Sequence, residues 1–262
     1  MGGFEGARGA VLLTGARGVI GRATAPRLLR DGWDVRAFDL VDGDDLRDPL
    51  AVCDAAAGCR AIVHAGAIPH DSKGTPTEIT ATNVLGTWHV LLAAERHRIE
   101  RVVFFSSVQV FGCSEGEGRP DHLPIDDDHP RRASRTYGSS KRLAEDLCAT
   151  WSARTRIPTV ALRPVATYTS EQLARLDAGR LEFGAFVHVD DVADAVARGL
   201  DAPVDIHTRL LLSAGGDVDA SRARDVLGWV PRHDQVPRHG RHTWSARLDP
   251  TRAWRNRQTR QV

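Results

Sequence analysis

Residues 10–14 form an apolar run that ends at Thr14, and residues 19–30 show apolar positions at helical spacing beyond a glycine-containing turn. This predicts strand, turn, helix. The segment 34–38 follows Asp31-Gly32 and is predicted as a second strand; 61–64, 101–106 and 157–162 are predicted as further strands. Helices are predicted at 51–57 and at 80–97, the latter amphipathic through Val84, Leu85, Trp88, Leu91 and Leu92. A third long helix is predicted at 136–154, with Leu143, Leu147 and Trp151 on one face. The alternation requires parallel crossovers, so the fold class is α/β. Residues 113–135, rich in Glu, Asp, Pro, Arg and Gly, are predicted to be an exposed loop. Beyond Arg163 the pattern weakens to a helix near 171–177, a strand near 185–188, a helix at 190–200, a strand at 208–213 and a helix at 220–227. No repeat or low-complexity segment is evident.

Composition narrows the class. The chain has 262 residues, 42% of them hydrophobic, which is ample for a buried core. Its formal charge of +1 provides no electrostatic reason to seek nucleic acid or an acidic membrane surface. Residues 232–262 carry eight arginines against Asp234 and Asp249, so a flexible basic tail is expected there. Cys53, Cys59, Cys113 and Cys148 lack both Cys-x-x-Cys and metal-ligand spacing, so no metal and no disulfide framework is expected. The first ten residues lack a signal-like apolar stretch, and no segment approaches the ~20 apolar residues of a membrane span. A cytoplasmic protein is expected.

Thr14-Gly15-Ala-Arg-Gly18-Val-Ile-Gly21 places three glycines between the predicted first strand and first helix. The first permits the tight turn, the second lets a pyrophosphate approach the backbone, and the third allows close helix-to-strand packing. The spacing is G-x-x-G-x-x-G rather than G-x-G-x-x-G, so the flanking elements supply its weight. Asp39 ends the second strand, where a carboxylate accepts hydrogen bonds from ribose hydroxyls and repels a 2′-phosphate. This favours NAD over NADP. Arg17 pulls the other way, because a guanidinium in the glycine loop can meet that phosphate. Asp39 is otherwise a simple turn aspartate, and Asp45 is placed beside the adenine. Tyr137 and Lys141, in a chain with only two tyrosines and two lysines, share a helix face four residues apart. A nearby ammonium favours phenolate and makes the phenol a usable acid/base, although an ordinary surface helix also produces this spacing.

With the turn, Asp39 and the Tyr137/Lys141 pair in register, the chain resembles the extended short-chain dehydrogenase/reductase family, the group containing nucleotide-sugar epimerases and dehydratases. His64-Ala-Gly-Ala67 is similar to its His-x-Ala-Ala loop, and Asn83-Val-Leu-Gly-Thr87 to its Asn-x-x-Gly-Thr helix. Phe105-Ser-Ser-Val-Gln-Val-Phe-Gly112 resembles the strand bearing the catalytic hydroxyl, which falls on Ser107, with Ser106 as the alternative. Leu162-Arg163-Pro164, Val187-His-Val-Asp-Asp-Val192 and Leu227-Gly-Trp-Val-Pro231 extend the resemblance over about residues 9–231. It implies a Rossmann-type doubly wound parallel sheet over 9–163 and a small C-terminal substrate-binding part over 164–231, interleaved with the last sheet elements. It implies NAD held at the turn by Gly15, Arg17, Gly18, Val19, Ile20 and Gly21. Asp39, Asp45 and Leu46, then His64, Ala65 and Gly66, and finally Asn83 and Lys141 complete the implied cofactor contacts. Tyr137 would transfer a proton while hydride moves at the nicotinamide, Ser107 would fix the same oxygen, and the positive charges of Lys141 and the oxidised ring would lower the Tyr137 pKa. Asn83 is equally readable as a kink or surface residue. His188 with Asp190 and Asp191 is read as structural, an aspartate capping the helix that follows. The family's habit of pairing two helices implies a homodimer through 80–97 and 136–154.

Only 22 residues separate Pro164 from Val187. Nucleotide-sugar members of the family are longer there, whereas its sugar-acid (uronate) dehydrogenases are similarly compact, so the substrate is expected to be a small molecule: a free sugar, a uronic acid or a secondary alcohol. Arg163 then either pairs with a substrate carboxylate or braces the last strand. Where the family's dehydratases carry Asp-Glu after the catalytic hydroxyl, this chain has Val108 and Gln109, which disfavours dehydration. Gln109 is left to bond a substrate hydroxyl. Three readings stay open: an NAD-dependent oxidoreductase, an epimerase that retains NAD, and a redox-sensing dinucleotide-binding protein without chemistry.

Overall fold

The structure, a computed structural model, describes residues 8–176, 181–204 and 206–234. β1 (Ala10–Thr14) passes through the glycine turn into α1 (Val19–Arg30), followed by β2 (Asp34–Phe38), α2 (Pro49–Ala56), β3 (Cys59–His64), α3 (Pro76–Thr80), α4 (Gly86–Arg96) and β4 (Arg101–Phe105). Then come α5 (Thr136–Thr155), β5 (Thr159–Pro164), β6 (Thr167–Tyr168), α6 (Ser170–Ala174), β7 (Val187–His188), α7 (Val189–Asp201), β8 (His207–Leu212) and α8 (Ser221–Leu227). Six strands form one parallel sheet in the order β2-β1-β3-β4-β5-β8. The order reverses at β1, which opens a crevice between the carboxyl ends of β1 and β3, the place where such sheets receive ligands.

Alternate side chains of each strand enter opposite layers. Val11, Leu13, Val63, Val103, Phe105 and Leu162 pack with Leu28 of α1 and with Val192 and Val196 of α7. Leu12, Ile62, Val102, Phe104 and Ala161 pack with Val90 and Leu91 of α4 and with Ala144 and Trp151 of α5. Both faces are covered, which is why the central strands lack polar alternation.

Several expectations are corrected. The helix expected at 80–97 starts earlier, at Pro76, and runs to Arg96 as one helical stretch that carries a wide π turn at Ala81–Leu85 between α3 and α4. On α5 the three residues expected on one face differ: Leu143 is 45% exposed, Leu147 packs partly against the core and Trp151 is buried, while Tyr137, Lys141, Glu145 and Cys148 also face inward. The loop at 113–135 is not simply exposed. Ile125 bridges to Val218, the Asp127 carboxylate accepts the Leu211 N–H, and Cys113, Ser114, His129 and Ala133 are buried. The cap of α7 is His188, whose Nδ1 accepts the Asp190 N–H, whereas Asp191 accepts the N–H groups of Arg232 and His233. β6 was not foreseen and pairs in parallel with β7, the observed form of the strand expected near 185–188. Residue 177, the expected end of the helix seen as α6, lies outside the described residues, as do 1–7 and the basic tail beyond Asp234. Among the described residues no helix is long and apolar enough to cross a membrane.

Candidate active site

The glycine turn is shaped for close approach. Gly15 has φ +69, and a Cβ there would lie 2.6 Å from the Gly66 nitrogen; a Cβ on Gly21 would collide with the Gly15 carbonyl. α1 starts at Gly18 without a side-chain cap or an acid in its first turn, so the N–H groups presented where Val19 and Ile20 open the helix suit an anion. The residues present therefore fit a dinucleotide pyrophosphate. Beyond β2, the Asp39 oxygens accept the N–H groups of Arg17 and Val41. The Arg17 guanidinium turns to Asp42, with Nε 2.8 Å from Oδ2, rather than standing alone in the loop. Asp45 pairs with Arg47, whose hydrogen bonds hold its carboxyl below the usual range. Leu46 is buried against Gly66 and Gly86, with its carbonyl 2.8 Å from His89 Nδ1.

His64 and Asn83 reach this crevice through other groups. Gly66 N–H donates to Thr14 Oγ1, which lies 2.7 Å from His64 Nδ1; His64 Nε2 lies 3.0 Å from Thr87 Oγ1, which donates to the Asn83 carbonyl. The senses agree only if Nε2 carries the ring proton. Burial, with the Lys141 charge adding, pushes His64 down to about 3, so the ring is neutral. Asn83 accepts the Ile68 N–H and donates to both the Ile68 carbonyl and Ser140 Oγ. Both side chains, expected to touch cofactor, are committed internally and brace the loop carrying Ala65 and Gly66. The reason is their depth: Asn83 is 1% exposed and His64 2%.

Ser107, Tyr137 and Lys141 meet beyond the carboxyl end of β4. Ser107 caps the short helix Val108–Phe111 and accepts the Gln109 N–H at 3.2 Å, and its hydroxyl acts on the Tyr137 phenol in the sense that favours phenolate. Ser106 is excluded from this role because its hydroxyl donates to the buried Glu145 carboxylate at 2.6 Å. Lys141 Nζ donates to the Phe105 carbonyl at 2.8 Å and lies 5.9 Å from the Tyr137 ring centre. Burial pushes Tyr137 up to about 12 and Lys141 down to about 8. The expected lowering of Tyr137 by Lys141 is therefore absent in this structure, because desolvation exceeds the help of Ser107 and Lys141 is turned toward a backbone carbonyl. Tyr137 N–H also donates to Asp71 Oδ1, a contact without a sequence signal.

Of the two readings of Arg163, the structure selects the brace. Its guanidinium is 1% exposed, donates twice to Glu145 at 2.7 and 2.8 Å and once to the Asp127 carbonyl at 2.8 Å, and so braces β5 rather than facing a substrate. Glu145, one turn after Lys141, was missed because a lone acid on a helix usually marks its solvated face. Gln109 lies nearer the mouth and donates to Glu115 Oε1. His188, Asp190 and His233 converge closely enough to resemble a cation site. The two rings stack at 3.9 Å, and both His188 nitrogens are engaged, by Asp190 N–H and by Ser170 Oγ.

The profile of the NAD dependent epimerase/dehydratase family matches residues 11–181. A uronate dehydrogenase of Pseudomonas putida is 30% identical over 237 residues, covering 85% of this chain and 83% of that protein. A UDP-glucose 4-epimerase of Bacillus subtilis is 26% identical over 163 residues, covering 53% of this chain and 46% of that protein. Among solved structures, a mutated uronate dehydrogenase aligns with a TM-score of 0.71 at 28% identity, over 92% of this chain and 86% of that chain.

Proposed function

The chain belongs to the NAD dependent epimerase/dehydratase family, and on that premise we propose that it is an NAD-dependent oxidoreductase acting on a carbinol or carbonyl of a small sugar acid, with a uronate as first candidate. The observation that carries this is the convergence of Ser107, Tyr137 and Lys141 beside the glycine crevice. NAD, when bound, supplies the hydride acceptor. Tyr137 exchanges the proton with the substrate oxygen, and Ser107 holds that oxygen and the phenol in line. With NAD bound, Lys141 would leave the Phe105 carbonyl to hold a ribose, and its charge would then favour phenolate. NAD over NADP is supported by the Asp39 carboxylate at the end of β2 and by neutralisation of Arg17 through Asp42.

The substrate class is supported by proportion. Similarity to the uronate dehydrogenase runs nearly from end to end, whereas similarity to the epimerase covers about half of each chain. The 22-residue stretch between Pro164 and Val187 also leaves little protein to grip a nucleoside diphosphate. Four free thiols support a cytoplasmic site of action. Exposed Leu85, Leu92 and Leu143 support a homodimer through the α4 and α5 face.

Incubation of the protein with NAD and glucuronate or galacturonate should produce NADH. An epimerase would interconvert sugars without net NADH, and a sensor would bind cofactor without turnover. Tyr137→Phe should retain NAD binding but lose turnover by about a hundredfold to ten-thousandfold; a wild-type rate in that variant would overturn the mechanism.

A further inference from the structure

Glu115 takes no part in the proton-transfer trio, yet donors from three segments meet its carboxylate. Gln109 Nε2 donates to Oε1 at 3.1 Å, while His70 Nε2 lies 3.0 Å and Arg135 NH1 3.5 Å from Oε2. The His70 tautomer follows from its other nitrogen, because Nδ1 accepts the Ser72 N–H and the ring proton is then on Nε2, facing Glu115. An amide, an imidazole N–H and a guanidinium around two oxygens form a donor set suited to a carboxylate.

Each donor is close in the chain to the reacting groups. Gln109 donates its N–H to Ser107, Asp71 beside His70 accepts the Tyr137 N–H, and Arg135 is the N-cap of α5, two residues before Tyr137. The Glu115 charge also acts on the Tyr137 phenol. Glu115 itself is partly open to solvent and strained in its backbone. Its side chain is 32% exposed, and its backbone has φ +54, a conformation that residues with a side chain adopt reluctantly. Its N–H bonds the carboxylate of Glu182, an exposed residue, so two acids are crowded together.

We infer that His70, Gln109 and Arg135 form a subsite for a carboxylate carried by the substrate, and that Glu115 fills it as a resident stand-in which the substrate displaces. The inference rests on the oxidoreductase reading for the position of the carbinol, at Tyr137, and adds the recognition of the substrate's other end. Displacement governs affinity: the apparent dissociation constant is the intrinsic one divided by the fraction of molecules in which Glu115 has left. Acids bear that cost and recover it at the donors, whereas neutral sugars use neither.

The test uses the full chain with NADH, reading equilibrium binding from nicotinamide fluorescence and turnover, with NAD, from NADH formation. Glucuronate and galacturonate are the acidic probes; glucose and galactose are the neutral ones. Glu115→Gln should tighten the acids by about threefold to tenfold, and Arg135→Gln should weaken them by about tenfold or more, with neutral sugars unaffected by either. Equal effects on acids and neutral sugars, or acids weakened by Glu115→Gln, would overturn the inference. Turnover of an acid with both variants behaving as wild type would remove the subsite and leave the oxidoreductase. Acid binding that tightens in Glu115→Gln without any turnover would keep the subsite and remove the reaction. Failure of both wild type and Glu115→Gln to bind any acid would remove the subsite.

Discussion

At Tyr137 and Lys141 burial moves the titration more strongly than the neighbours do. Tyr137 rises and Lys141 falls because each is desolvated, although they share a helix face. Asp127 offers a clean measurement of the same effect. Burial pushes it up to about 7 from 3.8, against the opposing pull of Arg163 and the Leu211 N–H, and its Oδ2 has no hydrogen-bond partner. Between about pH 4 and 7 the native state therefore binds more protons at this group than the unfolded chain does, so its contribution to stability is full below about pH 4 and is lost as pH rises to about 7. The unfolding free energy of the wild type minus that of Asp127→Asn should fall across this window by at most about 1.4 kcal/mol per pH unit. Denaturant titrations at several pH values would measure it, and a flat difference would contradict the assignment. Nothing in the composition of 113–135 signalled this. Asp127 looks like one more loop acid until its partners on β5 and β8 are known.

At the scale of elements, the π turn at Ala81–Leu85 is the device that aims Asn83 inward. The helix continues from α3 to α4 through it, with one wide turn that the apolar spacing does not show. From this turn one amide group joins the loop after β3 to Ser140, which lies between Tyr137 and Lys141 on α5. Asn83→Ala leaves part-buried backbone groups of Ile68 and the buried Ser140 hydroxyl without this partner and should cost about 1–3 kcal/mol in stability. It should also speed amide hydrogen exchange at 65–70, where Gly66 lines the crevice. Unchanged exchange there would show that the loop is held by something else. The motif around Asn83 was legible in the chain, but its way of acting was not: helical periodicity carries no sign of an inserted residue.

For the whole molecule, Leu85 of the π turn, Leu92 of α4 and Leu143 of α5 form an apolar face that the fold leaves uncovered. Leu85, Leu92 and Leu143 are each more than 40% exposed and flank a shallow groove lined by Val84, Trp88 and Leu147, a concentration beyond scattered surface apolar residues. Light scattering at micromolar concentration should report a dimer that Leu85→Glu with Leu143→Glu converts to a monomer; a monomeric wild type would overturn this. The stripes themselves were visible in the chain as helical periodicity, but their direction was not, because amphipathicity does not distinguish a face turned to the core from one turned to a partner. The same division runs through the site. Strand, turn and helix order, the glycine cradle and the Tyr137/Lys141 spacing depend on residues within one or two turns of each other, so local pattern suffices for them. The choice of Ser107 over Ser106, the withdrawal of Arg163 into the core and the convergence of His70, Gln109 and Arg135 on Glu115 depend on contacts between distant segments. Those contacts exist only once the parallel sheet has brought its carboxyl-end loops together.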